Sequence, residues 1–242
     1  MATPSASRAI KVYGTAVPEA KSRRLTAGPL SVELDNGALR YVRLGEVEVL
    51  RAIAFLVRDE NWGTYAPAID KVVVRQGAAG FRVSYGAHCG DDHRSIRYLA
   101  TITGLPDGSL DFAAVATAHG DFTTNRTGFI VLHPLRGVAG RPVQVLHVDG
   151  RLVVDRFPAI INPLQPFYEI RALTHEALPG IKVVCRMTGD SFEMEDHRNW
   201  TDASYKTYVR PLALPWPYVI PAGTGFRQSV NLSFRGRLPR AG

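Results

Sequence analysis

Short β-type runs separated by turn signals recur along the chain and constrain its fold more than any other feature. Runs rich in β-branched and aromatic residues, such as Ala38–Leu44 and Phe81–Tyr85, alternate with turns that contain Gly, Asn or Asp. Asn36-Gly37 between two such runs predicts a hairpin with a type I′ turn, because both central residues of that turn need positive φ. About fifteen runs at a spacing of 8–12 residues are typical of a β-sandwich or barrel.

Helical signals are weak by comparison. No window of 12 residues carries an apolar stripe of helical period, and 16 prolines and 22 glycines interrupt the chain. Short turns are expected near 66–70 and 201–204. We therefore predict an all-β fold, a single large antiparallel β-sandwich over residues 26–235, with a flexible N-terminal arm at 1–25 and a C-terminal tail at 236–242.

Composition narrows the class of protein. The chain has 45% hydrophobic and 21% charged residues, which is an ordinary globular balance. No apolar run approaches the ~20 residues of a membrane-spanning helix, and the first residues lack the apolar core of a signal peptide. We expect a cytoplasmic protein with no membrane partner. Cys89 and Cys185 are expected to be reduced, buried thiols, although the sequence leaves their pairing open.

The net charge of +7 and the pI of about 9.6 raise the question of nucleic-acid binding. The arginines are dispersed singly, and the one tight basic run is residues 21–24. No zinc-finger, helix-turn-helix or aromatic-basic RNA motif is present. We therefore expect no nucleic-acid partner. Dispersed arginines with few lysines are typical of the coding bias of a high-GC genome or of a site for anionic substrates.

The segment Phe192–Tyr208 concentrates groups that can do chemistry. It holds four carboxylates, a histidine, an arginine and a lysine within seventeen residues. Because side chains alternate along a strand, Glu193, Glu195 and His197 should share one face, opposite an apolar layer. Like charges on one face repel each other unless a cation, a proton or a ligand relieves them. The segment is therefore a candidate active site.

Roles can be assigned by residue type. Carboxylates and imidazoles serve in acid–base catalysis, and cationic side chains stabilise an oxyanion or hold a carboxylate. The catalytic candidates are Glu195 or Asp196 as base, His197 as acid–base partner, and Arg198 and Lys206 as anion binders. The candidates for substrate binding are Asn199, Trp200, Asp202, Tyr208, Asn125, Arg126, His133, Arg171 and His175. We expect these groups to converge on a hollow that holds a polyhydroxylated molecule.

Two alternatives remain open. In the first, the segment is a structural corner, a turn with no ligand site. Asp196 would then pair with Arg198, Asn199 and Asp202 would cap a turn, and Trp200 would lie in the core. A lone histidine that closes an apolar strand, as His133 does, is usually a core or edge residue, and the same interpretation is favoured over a site role for His175. In a metal site, Glu193, Glu195 and His197 would bind a divalent ion, although their spacing matches no established zinc motif. No other cofactor is expected.

The segment also resembles a known family. Its Glu-Asp-His-Arg-Asn-Trp-Thr-Asp-Ala-Ser run, beginning at Glu195, is similar to the Glu-Asp-Gln-Arg-Asn-Trp-Thr-Asp-Ala-Ser run of D-apionate lactonases. The resemblance covers most of residues 25–234. Further similar segments are Ala27–Ser31, Gly37–Leu50, Asp59-x-x-Trp62-Gly63-Thr64, Asn125-Arg126-x-Gly128-Phe129 through Pro134, Gln165–Phe167 and Ile170–Glu176. Residues 34–50 are also similar to the start of galactose-mutarotase-like supersandwiches.

Two departures from the family matter. His197 stands where the family has Gln, and family members are about twice as long, with a TIM-barrel-like region after the β-rich part. The resemblance implies a carbohydrate-active enzyme acting on a sugar lactone or oxidised sugar by hydrolysis, epimerisation or elimination. The alternative is a non-catalytic sugar-binding or accessory subunit that partners a separate TIM-barrel protein, or a homo-oligomer. An exposed apolar patch beside the 193–208 segment would favour that alternative.

Overall fold

The computed structural model describes residues 10, 11, 14 and 22–238. Over 22–238 the regular structure is almost entirely β, with one short 3₁₀ helix. Its elements are β1 (Arg23–Ala27), β2 (Leu30–Asp35), β3 (Ala38–Leu44), β4 (Val47–Val57), β5 (Ala68–Gly77), β6 (Gly80–Gly90), β7 (Ser95–Gly104), β8 (Leu110–His119), β9 (Phe122–Thr124), β10 (Thr127–Pro134), β11 (Pro142–His147), β12 (Leu152–Arg156), β13 (Phe167–Leu178), β14 (Ile181–Thr188), β15 (Phe192–Asp196), the 3₁₀ helix (His197–Trp200), β16 (Ser204–Tyr208), β17 (Tyr218–Ile220) and β18 (Gly225–Arg235).

Within the described residues, sixteen strands form one antiparallel sheet, and fourteen of them follow the order β1-β2-β3-β4-β10-β16-β15-β13-β14-β18-β8-β7-β6-β5. Strands β11 and β12 branch from β13, and β9 pairs with β17 in a separate ribbon. Aromatic contacts join the two halves of the sheet. The Phe55 and Tyr98 ring centroids lie 4.6 Å apart, and those of Phe112 and Phe129 lie 4.9 Å apart. The sheet therefore folds over one shared core, and the predicted all-β sandwich is confirmed.

Alternating side chains create this core. In β7, Ile96, Tyr98, Ala100 and Ile102 are buried, whereas Leu99 between them is 70% exposed. Period-2 burial of this kind lets one face of each strand pack inward while the other face meets solvent. The outer face of β4, β10, β16 and β15 carries the groups described below.

The hairpin predicted at Asn36-Gly37 is confirmed. Asn36 has φ 43° and Gly37 has φ 78°, as a type I′ turn requires. The backbone of Gly37 approaches the core closely, because the Tyr85 hydroxyl donates to its carbonyl oxygen at 2.7 Å. A side chain at Gly37 would collide with Tyr85 and Ile69.

Several boundaries differ from expectation. Strand β1 begins at Arg23, inside the expected N-terminal arm, because residues 23–27 pair with β2. Strand β5 begins at Ala68, where a turn was expected. Most of the arm (1–9, 12, 13 and 15–21) and residues 239–242 of the tail lie outside the described residues. Cys89 and Cys185 are free and buried, as expected. None of the helical segments described has the length and apolar character needed to span a bilayer.

Candidate functional site

Strands β15 and β16 place four polar side chains on one outer face of the sheet. Glu193 lies opposite Tyr208, and Glu195 lies opposite Lys206. Phe192 and Met194 alternate with them and are fully buried in the core. The predicted shared face of Glu193 and Glu195 is therefore confirmed. Together with His197 and Arg126, these four residues are called the charged cluster below.

Glu195 and Lys206 form an ion pair. Lys206 Nζ lies 2.7 Å from Glu195 Oε1, and the two side chains are 9% and 15% exposed, respectively. Burial lowers the pKa of Lys206 below its usual range, while Glu195 opposes that shift. Because water reaches both side chains poorly, the charge of Lys206 is compensated mainly by that of Glu195, and the reverse. The like-charge conflict expected on this strand is relieved by a cation from the adjacent strand.

Glu193 is held differently. It is 1% exposed and accepts hydrogen bonds from the Tyr208 hydroxyl and from the backbone N–H of Leu212, the latter at 2.8 Å. Burial, followed by the hydrogen bond to Glu193, raises the pKa of Tyr208. Tyr208 therefore stays protonated at neutral pH, and its hydroxyl is committed to the carboxylate.

Arg126 reaches the cluster from the turn between β9 and β10. Its guanidinium carbon lies 3.7 Å from the centroid of the Tyr208 ring and 5.4 Å from that of Trp62. The residue is 3% exposed, and its Nε has no hydrogen-bond partner. Burial lowers the pKa of Arg126, although a guanidinium remains charged in proteins. A buried cation thus rests between two aromatic faces.

Two loops meet beside Arg126, the first over residues 58–67 after β4 and the second over residues 209–217 between β16 and β17. In the loop after β4, Asp59 Oδ1 accepts from the backbone N–H groups of Asn61 and Gly63 at 2.8 and 2.7 Å, which shapes the turn that presents Trp62. Asn125 Nδ2 donates to the Glu60 carbonyl at 2.8 Å and fixes this loop to β9. Trp62 meets Trp216 of the second loop edge-on, with ring centroids 5.2 Å apart.

His197 lies at the start of the 3₁₀ helix, beside the Glu195–Lys206 pair. Its Nδ1 is 3.4 Å from Asp202 Oδ2 and 3.4 Å from Ser204 Oγ. Burial, and then the charge of Lys206, lowers the pKa of His197. The imidazole is consequently neutral at pH 7 and able to accept a proton.

Asp196 and Arg198 lie outside the cluster and form a brace. Asp196 pairs in register with buried Tyr205, on the other face from Glu195. Arg198 donates to both Asp196 carboxylate oxygens, at 2.8 and 2.6 Å, and to the carbonyl oxygens of residues 158–160. Burial would raise the pKa of Asp196, but these hydrogen bonds and one from Asn162 outweigh it and lower the value. The pairing expected for a structural corner is confirmed here.

The next two residues support this brace rather than the cluster. Asn199 Nδ2 donates to the carbonyl oxygens of Asn162 and Asp196, at 2.6 and 3.0 Å. Trp200 is 69% exposed, so the alternative that placed it in the core is wrong. Asp202 accepts from Ser204 Oγ at 3.1 Å and faces His197.

The structure does not bring His133 and His175 to the charged cluster. His133 Nε2 lies 2.9 Å from Thr207 Oγ1, and Thr207 alternates with Lys206 and Tyr208. Burial lowers the pKa of His133 to about 3 and that of His175 to about 4. Both are neutral core residues beside Phe157. Arg171 is also engaged elsewhere, donating to the Met187 carbonyl at 3.1 Å.

The expected metal ligands do not assemble. Glu193 is bound by Tyr208, Glu195 by Lys206, and His197 turns toward Asp202. Over the part of the chain that the structure describes, no three His, Cys, Asp or Glu side chains are grouped to hold an ion. This geometry offers no support for the metal alternative.

Four members of the charged cluster, Arg126, Glu193, Lys206 and Tyr208, are buried, so little of the cluster is open to solvent, and the hollow expected beside it stays a prediction. Grooves that the described residues form elsewhere include one of about 940 Å³ on the outer face of β5–β8, one of about 520 Å³ beside β11 and β13, and one of about 290 Å³ near Tyr168. The loops that carry Trp62 and Leu212 contribute to the burial of the cluster, because they contact Arg126 and Glu193 directly. A ligand would reach the cluster by way of these loops.

Sequence reasoning missed Arg58 and Trp62 as site residues. Arg58 Nη1 donates to the Trp62 carbonyl at 2.6 Å, and its charge acts on both Arg126 and Lys206. The available signal was the Asp59-x-x-Trp62-Gly63 turn, because Asp and Gly at that spacing set a loop conformation that projects an aromatic side chain.

Comparison with known proteins agrees with this architecture. The model of the family described as "D-apionate lactonase, N-terminal domain" matches residues 10–237. The chain is 52% identical over 223 residues to a D-apionate lactonase of Brucella anthropi, a match that covers 92% of this chain and 37% of that protein. The chain thus spans little more than a third of the length of this curated relative.

Solved structures share the fold at low sequence identity. A galactose mutarotase-like protein from Clostridium acetobutylicum has a TM-score of 0.57 at 9% identity, covering 90% of this chain and 96% of that one. The Slr1438 protein from Synechocystis sp. PCC 6803 also has a TM-score of 0.57, at 10% identity, covering 91% and 97%. The expected galactose-mutarotase-like sandwich is confirmed as a fold.

Proposed function

Since the chain belongs to the family of D-apionate lactonase N-terminal domains, we propose that it acts in sugar metabolism, performing acid–base chemistry on a sugar lactone or oxidised sugar at the charged cluster. The observation that carries this proposal is the Glu195–Lys206 ion pair, held beside a neutral imidazole and a buried guanidinium that has no anionic partner among residues 22–238. A general base, a proton carrier and hydrogen-bond donors to an oxyanion then lie on one face of the sheet.

Lactone hydrolysis is the reaction that these groups suit best. Glu195 takes a proton from water, and the resulting hydroxide attacks the lactone carbonyl carbon. Lys206 and Arg126 stabilise the oxyanion that develops on the carbonyl oxygen. As the tetrahedral intermediate collapses, the bond from the carbonyl carbon to the ring oxygen breaks, and that oxygen receives the proton by way of Glu195 or His197. The product is an open-chain hydroxy acid.

The test is turnover of aldonolactones, followed as acid release in a pH-stat. Glu195→Gln should lower kcat by at least a hundredfold, because a general base contributes about 10²–10⁴-fold. His197→Gln installs the family's residue and should retain most of the activity. Glu176→Gln, at an exposed position of β13, serves as the matched control. Turnover by Glu195→Gln at the unsubstituted rate would refute the proposed chemistry.

A second candidate function, an accessory module, is favoured by an exposed apolar patch beside the brace. Ile160 is 85%, Leu164 70% and Trp200 69% exposed. Arg198 and Asn199 fix the loop of residues 158–164 against the 3₁₀ helix that carries Trp200. The Brucella anthropi relative carries most of its length outside the matched region. These observations support docking of a further domain or a separate partner on this patch.

The two candidates are separated by mixing the chain with the remaining part of the Brucella anthropi relative, produced as its own polypeptide. An accessory module should bind it, measured by calorimetry, and Trp200→Ser combined with Leu164→Ser should weaken binding at least tenfold. Val219→Ser, at an exposed position of β17, is the control. Lactone turnover by this chain alone, with no binding, would contradict the accessory function.

A further inference from the structure

Arg126 is a buried cation that forms no ion pair with any residue the structure describes. Within the described residues its side chain forms neither an ion pair nor a hydrogen bond, and its Nε is inaccessible and unpaired. Its contacts are the Tyr208 ring at 3.7 Å and the Trp62 ring at 5.4 Å. Burying a charge is costly unless the charge is paired and hydrogen-bonded. The described residues around Arg126 therefore lack one component, an anionic group that pairs with its guanidinium.

The neighbouring carboxylates do not supply that component. Glu193 accepts from Tyr208 and Leu212, and Glu195 accepts from Lys206. The Asp59 carboxylate accepts from backbone N–H groups in its own loop. Over the described part of the chain, each carboxylate close to Arg126 therefore already accepts hydrogen bonds from other donors.

Arg58 increases the surplus of positive charge. Its Nε is likewise inaccessible and unpaired, and its charge acts on both Arg126 and Lys206. Three cations, Arg58, Arg126 and Lys206, thus act on one another, while the carboxylates that act on Arg126 are the two of Glu193 and Glu195. One unit of formal positive charge remains, which matches a monoanion better than a dianion.

We infer that Arg126, with Arg58 beside it, is an anion subsite that binds the carboxylate of an open-chain polyhydroxy acid. A planar guanidinium presents paired donors that match the two oxygens of a carboxylate, and the stacked aromatic rings hold the guanidinium plane in place. The inference rests on the proposed function in that the subsite and the Glu195–Lys206 pair form one site. The chain should therefore bind the acid with higher affinity than the neutral lactone.

Calorimetric titration of the full chain with sodium D-gluconate, against D-glucitol as the neutral polyol of equal length, tests this inference. Gluconate should bind at least tenfold more tightly than glucitol. Arg126→Met should remove that preference, because charge-assisted bonds of this kind are worth a factor of about ten or more. Arg82→Met, at an exposed arginine of β6, should bind like the unsubstituted chain.

A second variant distinguishes the loss of gluconate binding from the loss of the fold. Arg126→Lys keeps the charge but loses the paired donors, and it should bind gluconate more weakly while melting near the unsubstituted chain. Equal binding of gluconate and glucitol, or undiminished gluconate binding by Arg126→Met, would overturn the inference. Tighter binding of D-glucose 6-phosphate than of gluconate would overturn the carboxylate assignment. Because Glu195→Gln retains Arg126, gluconate binding by that variant separates this inference from the catalytic proposal.

Discussion

Replacing Lys206 by Met should destabilise the fold by about 2–3 kcal/mol. Removing one partner of a fully buried ion pair costs roughly 3–5 kcal/mol, because the remaining charge is left uncompensated. Here the Nζ–Oε1 distance is 2.7 Å, but the Lys206 and Glu195 side chains are 9% and 15% exposed, so water recovers part of that cost. Met keeps the length and most of the apolar stem of Lys206, which limits any cavity contribution.

The measurement is urea unfolding of a double-mutant cycle. Glu195→Met alone should also destabilise the chain, whereas the combined Glu195→Met and Lys206→Met variant should lie within about 1 kcal/mol of the unsubstituted protein, since an apolar pair leaves no buried charge. Arg51→Met, which breaks the more exposed Glu48–Arg51 pair, is the control and should cost under about 1 kcal/mol. Strictly additive losses in the cycle would refute the reasoning.

Two further perturbations test the packing around the site. In the folded chain the pKa of His175 is about 4, below its usual 6.5. Between these two pH values the unfolded chain therefore binds more protons than the folded chain does. The free energy of unfolding consequently falls as the pH drops through that range. His175→Phe should reduce this slope by up to ~1.4 kcal/mol per pH unit in denaturant titrations. Gly128→Ala should lower the free energy of unfolding by at least about 2 kcal/mol, because φ is 145° and a Cβ would overlap Val209. Gly77→Ala meets open space and should be near neutral; equal losses would contradict the packing argument.

Local patterns explain what the sequence could predict. The Asn36-Gly37 turn and the alternation of Phe192, Glu193, Met194 and Glu195 depend on residues within a few positions of one another. The strand ends at Asp196 because its carboxylate accepts from the backbone N–H of Arg198 and caps the 3₁₀ helix. That cap changes the course of the chain, so simple alternation fails beyond Asp196.

Long-range packing decides the rest. Whether His133 faces the core or the outer surface depends on its register with β16, where Tyr205 is its partner. Arg126 joins the charged cluster only because β10 lies between β4 and β16 in the sheet. Trp62 joins it through a loop whose position depends on Asn125. The local sequence indicates the turn that projects Trp62, but it does not give the position of that turn in the sheet, nor the placement of His133 and Arg126.

The most direct test of the account is a two-dimensional NMR titration with an aldonolactone and its acid. The charged cluster is proposed as the site of binding and chemistry, so the indole N–H of Trp62 and the backbone amides of residues 193–197 and 204–208 should shift first and most. Shifts confined to the groove on β5–β8, with these signals unmoved at saturation, would contradict the account.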